Sequence, residues 1–255
     1  MTLLGDLKTL YAMVLAPVHG HSHAARLESF YGRQAADYDA FRARLLHGRQ
    51  ELWSRLPVPD GGYWVDMGGG TGSNLEFLGE QIRRLARCYV VDLTPALLRV
   101  AAERSHAHGW TNVETVEADV TTFTPPCGPV DVITFSYALT MIPDWFVALE
   151  RAWQLLRPGG TIGVVDFYVS RKYPSAGWVR HAWRTRLFWS LWFGVDNVFV
   201  SPDHVPYLHW RFPPKYFAEH QGTMPYLPGV RAPYYLFIGS KPPHTAEAEH
   251  QGCLI

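Results

Sequence analysis

The densest chemistry in the chain lies in Gly62-Tyr-Trp-Val-Asp66-Met-Gly68-Gly69-Gly70-Thr71-Gly72. Gly68, Gly70 and Gly72 fall two apart, and a carboxylate, Asp66, stands two residues ahead of the first. Glycine permits positive φ and lets the backbone approach a ligand closely. The apolar residues before the loop read as a short buried strand. The stretch from about Thr71 to Arg84 reads as a helix whose free N–H groups point at whatever lies over the loop. A dinucleotide fingerprint, G-x-G-x-x-G, would need its third glycine at position 73, which is Ser73. A carboxylate aimed into such a loop suits a cation better than a pyrophosphate.

Further polar residues fall where apolar runs end. Cys88-Tyr-Val-Val-Asp92 is a short run ending in an acid, with Leu93 beside it. Asp92 follows Asp66 by 26 residues. A carboxylate at the end of a second strand can accept both ribose hydroxyls of a nucleoside. Val113 to Val120 alternates into a third strand carrying Asp119 near its end, and Val130 to Ser136 is a near-continuous apolar strand. Thr161 to Phe167 makes a fifth. Thr94-Pro95 opens a helix to about His108, with Thr94 as N-cap and Pro95 at the first helical position. Tyr137 to Leu156 reads as another helix, stopped by Arg157-Pro158-Gly159-Gly160. A last strand pair, roughly Tyr216 to Met224 and Pro233 to Gly239, is joined through Pro225 to Gly229. Strands alternating with helices make a parallel, doubly wound sheet whose ligands bind beyond the carboxyl ends of its strands. Asp66, Asp92, Asp119 and Ser136 then converge on one nucleoside-shaped site.

The Asp66-to-Gly72 loop resembles motif I of the class I S-adenosylmethionine (SAM) methyltransferases, and Leu155-Leu-Arg-Pro-Gly-Gly160 before an apolar strand is similar to another feature of that family. The segment from Phe30-Tyr31 to Tyr38-Asp39 resembles the tyrosine-containing cap that lies over the cofactor in many of its members. The resemblance implies a Rossmann-like α/β fold, doubly wound, with a mostly parallel seven-stranded sheet. Residues 1–60 are expected to form a helical cap and 61–240 a SAM-binding domain, and the polar composition of 241–255, rich in His and Glu, suits a disordered tail. The resemblance places Asp66 near the methionine amino group, with Gly68 and Gly70 making room for the cofactor. Asp119, or the backbone beside it at Val120, would meet the adenine amino group, a hydrogen-bond donor.

The chain has 255 residues, enough for one domain or one domain with an insertion. Its formal net charge is zero, so nothing general points to nucleic acid. Cys88, Cys127 and Cys253 show no metal-ligand spacing and suit a reducing compartment. Cys253 stands third from the end, which does not fit the prenylation pattern. Residues 2–16 have apolar positions at helical spacing, but Asp6 and Lys8 make them a poor signal peptide, and the stretch is too short to span a bilayer. Residues 170–215 differ in kind, combining seven Arg and Lys with Trp178, Trp183, Trp189, Trp192, Trp210, Phe188 and Phe193. From Ala176 to Gly194 the pattern is helical, aromatic and basic. Such a helix can lie in the headgroup region of a membrane, or it can cover the sheet as a buried helix.

Several blocks together resemble the bacterial betaine-lipid methyltransferases, over roughly residues 23 to 240. They are Phe30-Tyr31, Tyr38-Asp39, Leu46-His-Gly-Arg49, Val65 to Asn74, Thr134-Phe-Ser-Tyr137-Ala-Leu-Thr-Met-Ile-Pro143-Asp-Trp145, Val164-Val-Asp166-Phe-Tyr168 and Pro225-Tyr-Leu-Pro-Gly229 with Pro233-Tyr-Tyr235. The resemblance implies an enzyme that uses SAM to trimethylate the amino group of diacylglyceryl-homoserine. It further implies a cytoplasmic protein, peripheral at the inner face of the membrane, with the enzyme that makes this lipid as pathway partner. The acceptor amine must be neutral and in line with the methyl group, so positioning carries most of the work. Each methyl added leaves a softer cation that aromatic faces hold well. Tyr31, Tyr38, Tyr137 and Tyr168 are candidates for such a cage, and His204 or water for the base. Arg42, Arg49 and Arg180 are candidates for the substrate carboxylate. A phosphatidylethanolamine or quinone-precursor acceptor, or SAM binding without catalysis, remains open at this point.

Overall fold

The computed structural model describes residues 44–243 except 127, 196, 226 and 228. The cap expected over most of residues 1–60, with Tyr31, Tyr38 and Arg42, and the tail beyond 243 lie outside the described residues. Seven strands form one sheet: β1 (Tyr63–Met67), β2 (Arg87–Asp92), β3 (Val113–Glu117), β4 (Val130–Ser136), β5 (Leu156–Phe167), β6 (Pro214–Thr223) and β7 (Arg231–Ser240). Their order is β3-β2-β1-β4-β5-β7-β6. The first five pair in parallel, and β7 runs antiparallel between β5 and β6. Strand order reverses between β1 and β4, so the crevice beyond their carboxyl ends is the expected binding position. This is the Rossmann-like, mostly parallel seven-stranded architecture anticipated from the motifs.

Both faces are covered, which is why the parallel strands read as almost unbroken apolar runs. On one face, α1 (Arg49–Arg55) and α2 (Pro95–Ala107) lie over Trp64, Val90 and Val132. Trp53 of α1 stacks on Trp64 at 4.9 Å. On the other, α3 (Trp145–Leu155) and α5 (His204–Arg211) bury Leu149, Leu208 and Phe212 against Ile133, Phe135, Tyr235 and Phe237. The inner side of α4 (Trp183–Val195) packs on the first face through Trp189 and Phe193, the latter stacked on Phe167 at 4.5 Å.

Four expected boundaries change. The stretch after the glycine loop is not a continuous α-helix but 3₁₀ turns over Ser73–Arg84, because Gly79 breaks it at φ 52°, ψ −134°. Tyr137 does not open a helix. Its φ of 55° and Pro143 leave a short 3₁₀ turn at Leu139–Met141, and α3 starts only at Trp145. Strand β5 begins at Leu156, before the Pro-Gly-Gly expected to be a turn, since Gly159 N–H donates to Lys241 O and Lys241 N–H to Gly160 O, both at 2.9 Å. Helix α4 starts at Trp183 rather than Ala176. Ahead of it, Ser170 and His181 bind each other's backbone N–H, at 3.0 and 2.8 Å, in a non-helical arrangement.

Candidate cofactor and acceptor site

The glycine loop leaves β1 at Met67 and is held to β2 from its first residue. Gly68 and Gly69 N–H both donate to Val91 O, at 2.8 and 3.1 Å. Gly68 has φ 71°, and a Cβ there would stand 2.6 Å from that of Ala138, so only glycine brings the loop this close to the β4 end. From α2, Arg104 ion-pairs with Glu76 at 2.7 Å and donates to Thr71 O. The loop is therefore positioned before any ligand arrives.

Asp66 is fully buried. Thr134 Oγ1, on its register partner in β4, donates to Asp66 Oδ1 at 2.7 Å, and Asn74 Nδ2 approaches Oδ2 at 3.4 Å. Trp64 Nε1 donates in turn to Thr134 at 3.0 Å, and Arg49 Nη1 to Asn74 Oδ1 at 3.3 Å. Burial raises Asp66 to about 6, against the downward pull of these hydrogen bonds and of the Arg49 charge. Such a carboxylate gains from a cation placed against it. Asp92 ends β2 with Oδ2 accepting Gly70 N–H at 3.0 Å and Oδ1 accepting Thr94 N–H at 2.9 Å. Leu93 follows, half-buried, at the turn into α2. Asp119 is exposed beyond β3, where its Oδ1 takes Thr121 N–H and Oγ1, at 2.8 and 2.7 Å, and Val120 is buried next to it. Ser136 ends β4 buried, its hydroxyl unpaired among the described residues. Asp66, Asp92 and Ser136 end three adjacent strands, and Asp119 follows the fourth.

The catalytic expectations for Tyr137 and His204 are corrected. Tyr137 is buried, its phenol donating to His47 O at 2.8 Å and its ring packed edge-on to Phe167 at 4.6 Å, so it offers no open face to a cation. His204 is neither exposed nor basic. It is fully buried against Trp145, its ring nitrogens unpaired among the described residues, and burial lowers it to about 3. Arg49, a candidate for the substrate carboxylate, belongs instead to the Asp66 network. Asn74, Thr134 and Asp166 were not singled out from sequence. Asp166 ends β5 fully buried, raised to about 7 by burial, and takes Thr140 N–H and Oγ1 at 3.2 and 2.8 Å, fixing the turn after β4.

The residues at the crevice fit SAM by their own chemistry: a buried carboxylate that favours a cation, a loop of left-handed glycines, and a second carboxylate one strand away. Residues 65–160 match the model of the methyltransferase domain family. With the strand order and the loop, residues 65–160 form a SAM-dependent methyltransferase domain, with SAM as its cofactor. When bound, SAM supplies a methyl group activated by a sulfonium.

Among curated proteins the chain is similar to ubiquinone/menaquinone biosynthesis C-methyltransferases UbiE. The relative from Allorhizobium ampelinum is 30% identical over 54% of this chain and 56% of its own. The one from Pseudoalteromonas translucida is 25% identical over 56% and 60%. The chain thus spans less than two thirds of the length of these relatives. Among solved structures, the N-methyltransferase NodS from Bradyrhizobium japonicum, in complex with S-adenosylhomocysteine, superposes with a TM-score of 0.62 at 16% identity, over 84% of this chain and 98% of that one. Phosphoethanolamine N-methyltransferase 2 from Haemonchus contortus gives 0.62 at 14% identity, over 85% and 60%. At such identities these two likenesses speak for the fold alone.

Proposed function

We propose that the chain is a SAM-dependent N-methyltransferase working at a membrane surface, and that it trimethylates the amino group of diacylglyceryl-homoserine to a betaine lipid. In this reading Asp66 faces the methionine amino group, Gly68 and Gly70 admit the cofactor, Asp92 with Leu93 takes the ribose hydroxyls, and Asp119 with Val120 meets the adenine. Ser136 ends the strand nearest the transferred methyl. The enzyme acts peripherally at the inner face of the membrane, beside the enzyme that supplies the headgroup. No helix among the described residues is long and apolar enough to cross a membrane.

The observation that carries the lipid reading is the outer side of α4. Trp183, Leu187, Leu191 and Val195 recur every fourth residue and are 62%, 51%, 65% and 61% exposed. Phe188 beside them and Phe199 beyond the helix are also exposed, and Arg184 lies on the same helix with Arg180 just ahead of it. An apolar stripe with a basic flank fits an anionic bilayer. Arg186, by contrast, has its Nε buried and is not part of that surface. Bringing the protein to the lipid avoids exposing acyl chains, at about 0.8 kcal/mol per CH₂.

A second reading, methylation of a quinone precursor, is favoured by the similarity to UbiE. The test is purified full-length chain with labelled SAM and vesicles carrying diacylglyceryl-homoserine, phosphatidylethanolamine or a quinone precursor. The proposal expects successive one-, two- and three-methyl products on the homoserine lipid by mass spectrometry. Label only on the quinone precursor would replace it with the second reading.

A further inference from the structure

A second charged and aromatic site lies at the far side of the sheet. Glu219 sits half-buried in β6, opposite Tyr235 in register. Its Oε1 accepts the Tyr168 phenol at 2.6 Å and its Oε2 accepts Val179 N–H at 2.8 Å. Burial, and then Glu219 itself, push the Tyr168 phenol well up, so the tyrosine is the donor. Both donors are neutral. The nearby His209 is held below its ordinary value by burial, so it does not supply a compensating cation at neutral pH. Among the described residues no Lys, Arg or His nitrogen is ion-paired with Glu219.

Glu219 lines a small cleft of about 40 Å³ together with Tyr168, Trp178, Tyr173, Val205 and Arg171. Arg171 is engaged with Asp203 at 2.6 Å. At the exposed end, Lys172 and Arg180 lie over the Tyr173 ring at 5.2 and 5.6 Å. The cleft thus combines an uncompensated carboxylate, aromatic walls and a basic mouth. A primary ammonium has three N–H donors to satisfy, and the two Glu219 oxygens already accept one each. A methylated ammonium has fewer donors or none, and aromatic faces with one carboxylate suffice for it. The basic mouth suits an anionic group on the same molecule.

We infer that this cleft binds a zwitterion with a methylated ammonium directed at Glu219 and its anionic group at Lys172 and Arg180. Glu219 stands four strands from β1, and the lining of the cleft includes neither the glycine loop nor Asp66 or Asp92, so the cleft is distinct from the Asp66 crevice. That the ligand is the headgroup produced by the reaction rests on the function proposed above. The preference of the cleft for such a cation does not.

The test is calorimetric titration of the full chain with glycine betaine, phosphocholine and the uncharged isostere 3,3-dimethylbutan-1-ol. The two zwitterions are expected to bind at least tenfold more tightly than the isostere. Glu219→Gln should remove that preference, Glu219→Asp should recover part of it, and SAM affinity should be the same in all three proteins, which also reports their folding. Tighter binding of glycine betaine identifies a carboxylate headgroup, and tighter binding of phosphocholine a phosphate headgroup. Equal affinity for the isostere, or binding indifferent to Glu219→Gln, overturns the site. Trp178→Phe, which keeps an aromatic wall, should weaken the zwitterions less than Glu219→Gln. The reverse order also overturns the site. Betaine binding without methyl transfer to lipid amines would overturn the proposed reaction and leave the cleft standing.

Discussion

The two ends of the sheet are built on different principles. From β3 to β4, the crevice is made of carboxylates whose oxygens are already held by backbone N–H groups or buried hydroxyls: Gly70 and Thr94 on Asp92, Thr134 on Asp66. From β5 to β6, the surface is aromatic and basic, and Trp183, Leu187 and Leu191 are exposed on it. The first end is pre-organised for one small polar ligand. The second carries the surface that the proposed function sets against a membrane. A methyltransferase domain needs only the first to hold its cofactor, so differences in acceptor belong to the second.

The largest expected effect is at the glycine loop. Gly68→Ala puts a Cβ at 2.6 Å from Ala138 in a backbone at φ 71°, and SAM affinity should fall at least a hundredfold by calorimetry while the far end is unaffected. Asp92→Ala should cost about 1.5–3 kcal/mol of SAM binding, roughly ten- to 150-fold, through lost hydrogen bonds to a charged group. An Asp92 variant of unchanged affinity would erase the ribose role.

pH sharpens the contrast next. Asp66 titrates near 6 in the ligand-free fold against 3.8 ordinarily, so the folded state binds a proton more readily than the unfolded chain between those values. Its burial therefore lowers stability as pH rises through that window, by on the order of 3 kcal/mol once complete. A SAM cation reverses the preference. Its affinity should rise with pH up to about 6 and level off above, the slope approaching tenfold per unit. Titrations across pH 4.5 to 8 read this directly, and Asp66→Asn should flatten the profile. The smallest effect is electrostatic. Arg184→Gln should weaken binding to anionic vesicles by about 1 kcal/mol, roughly fivefold, at low salt only, with SAM affinity constant.

The sheet was legible because parallel strands buried on both faces leave apolar runs of characteristic length, and acids at their ends stand out. Asp66, Asp92, Asp119 and Ser136 were readable for that reason. Thr134 was not, because its link to Asp66 spans 68 residues and depends on the register of β1 with β4. The helix expected from about Thr71 to Arg84 contains Gly79, whose φ and ψ make it a break. His204 was a candidate base on residue type alone, and nothing local shows that it opens α5, with Asp203 as N-cap, and turns into the core. The pairing of Tyr168 with Glu219, 51 residues apart, depends on β7 lying between β5 and β6, which no local pattern announces.

The separation of the two ends is tested most directly by one double variant, Leu187→Glu with Leu191→Glu, assayed for SAM affinity and for methyl transfer to lipid amine in vesicles. Neither residue touches the Asp66 crevice or lines the Glu219 cleft. The account predicts unchanged SAM affinity, loss of most transfer to vesicle lipid, and recovery of transfer when the same headgroup is offered on a water-soluble, short-chain lipid. Full activity on vesicles with both glutamates in place would contradict it.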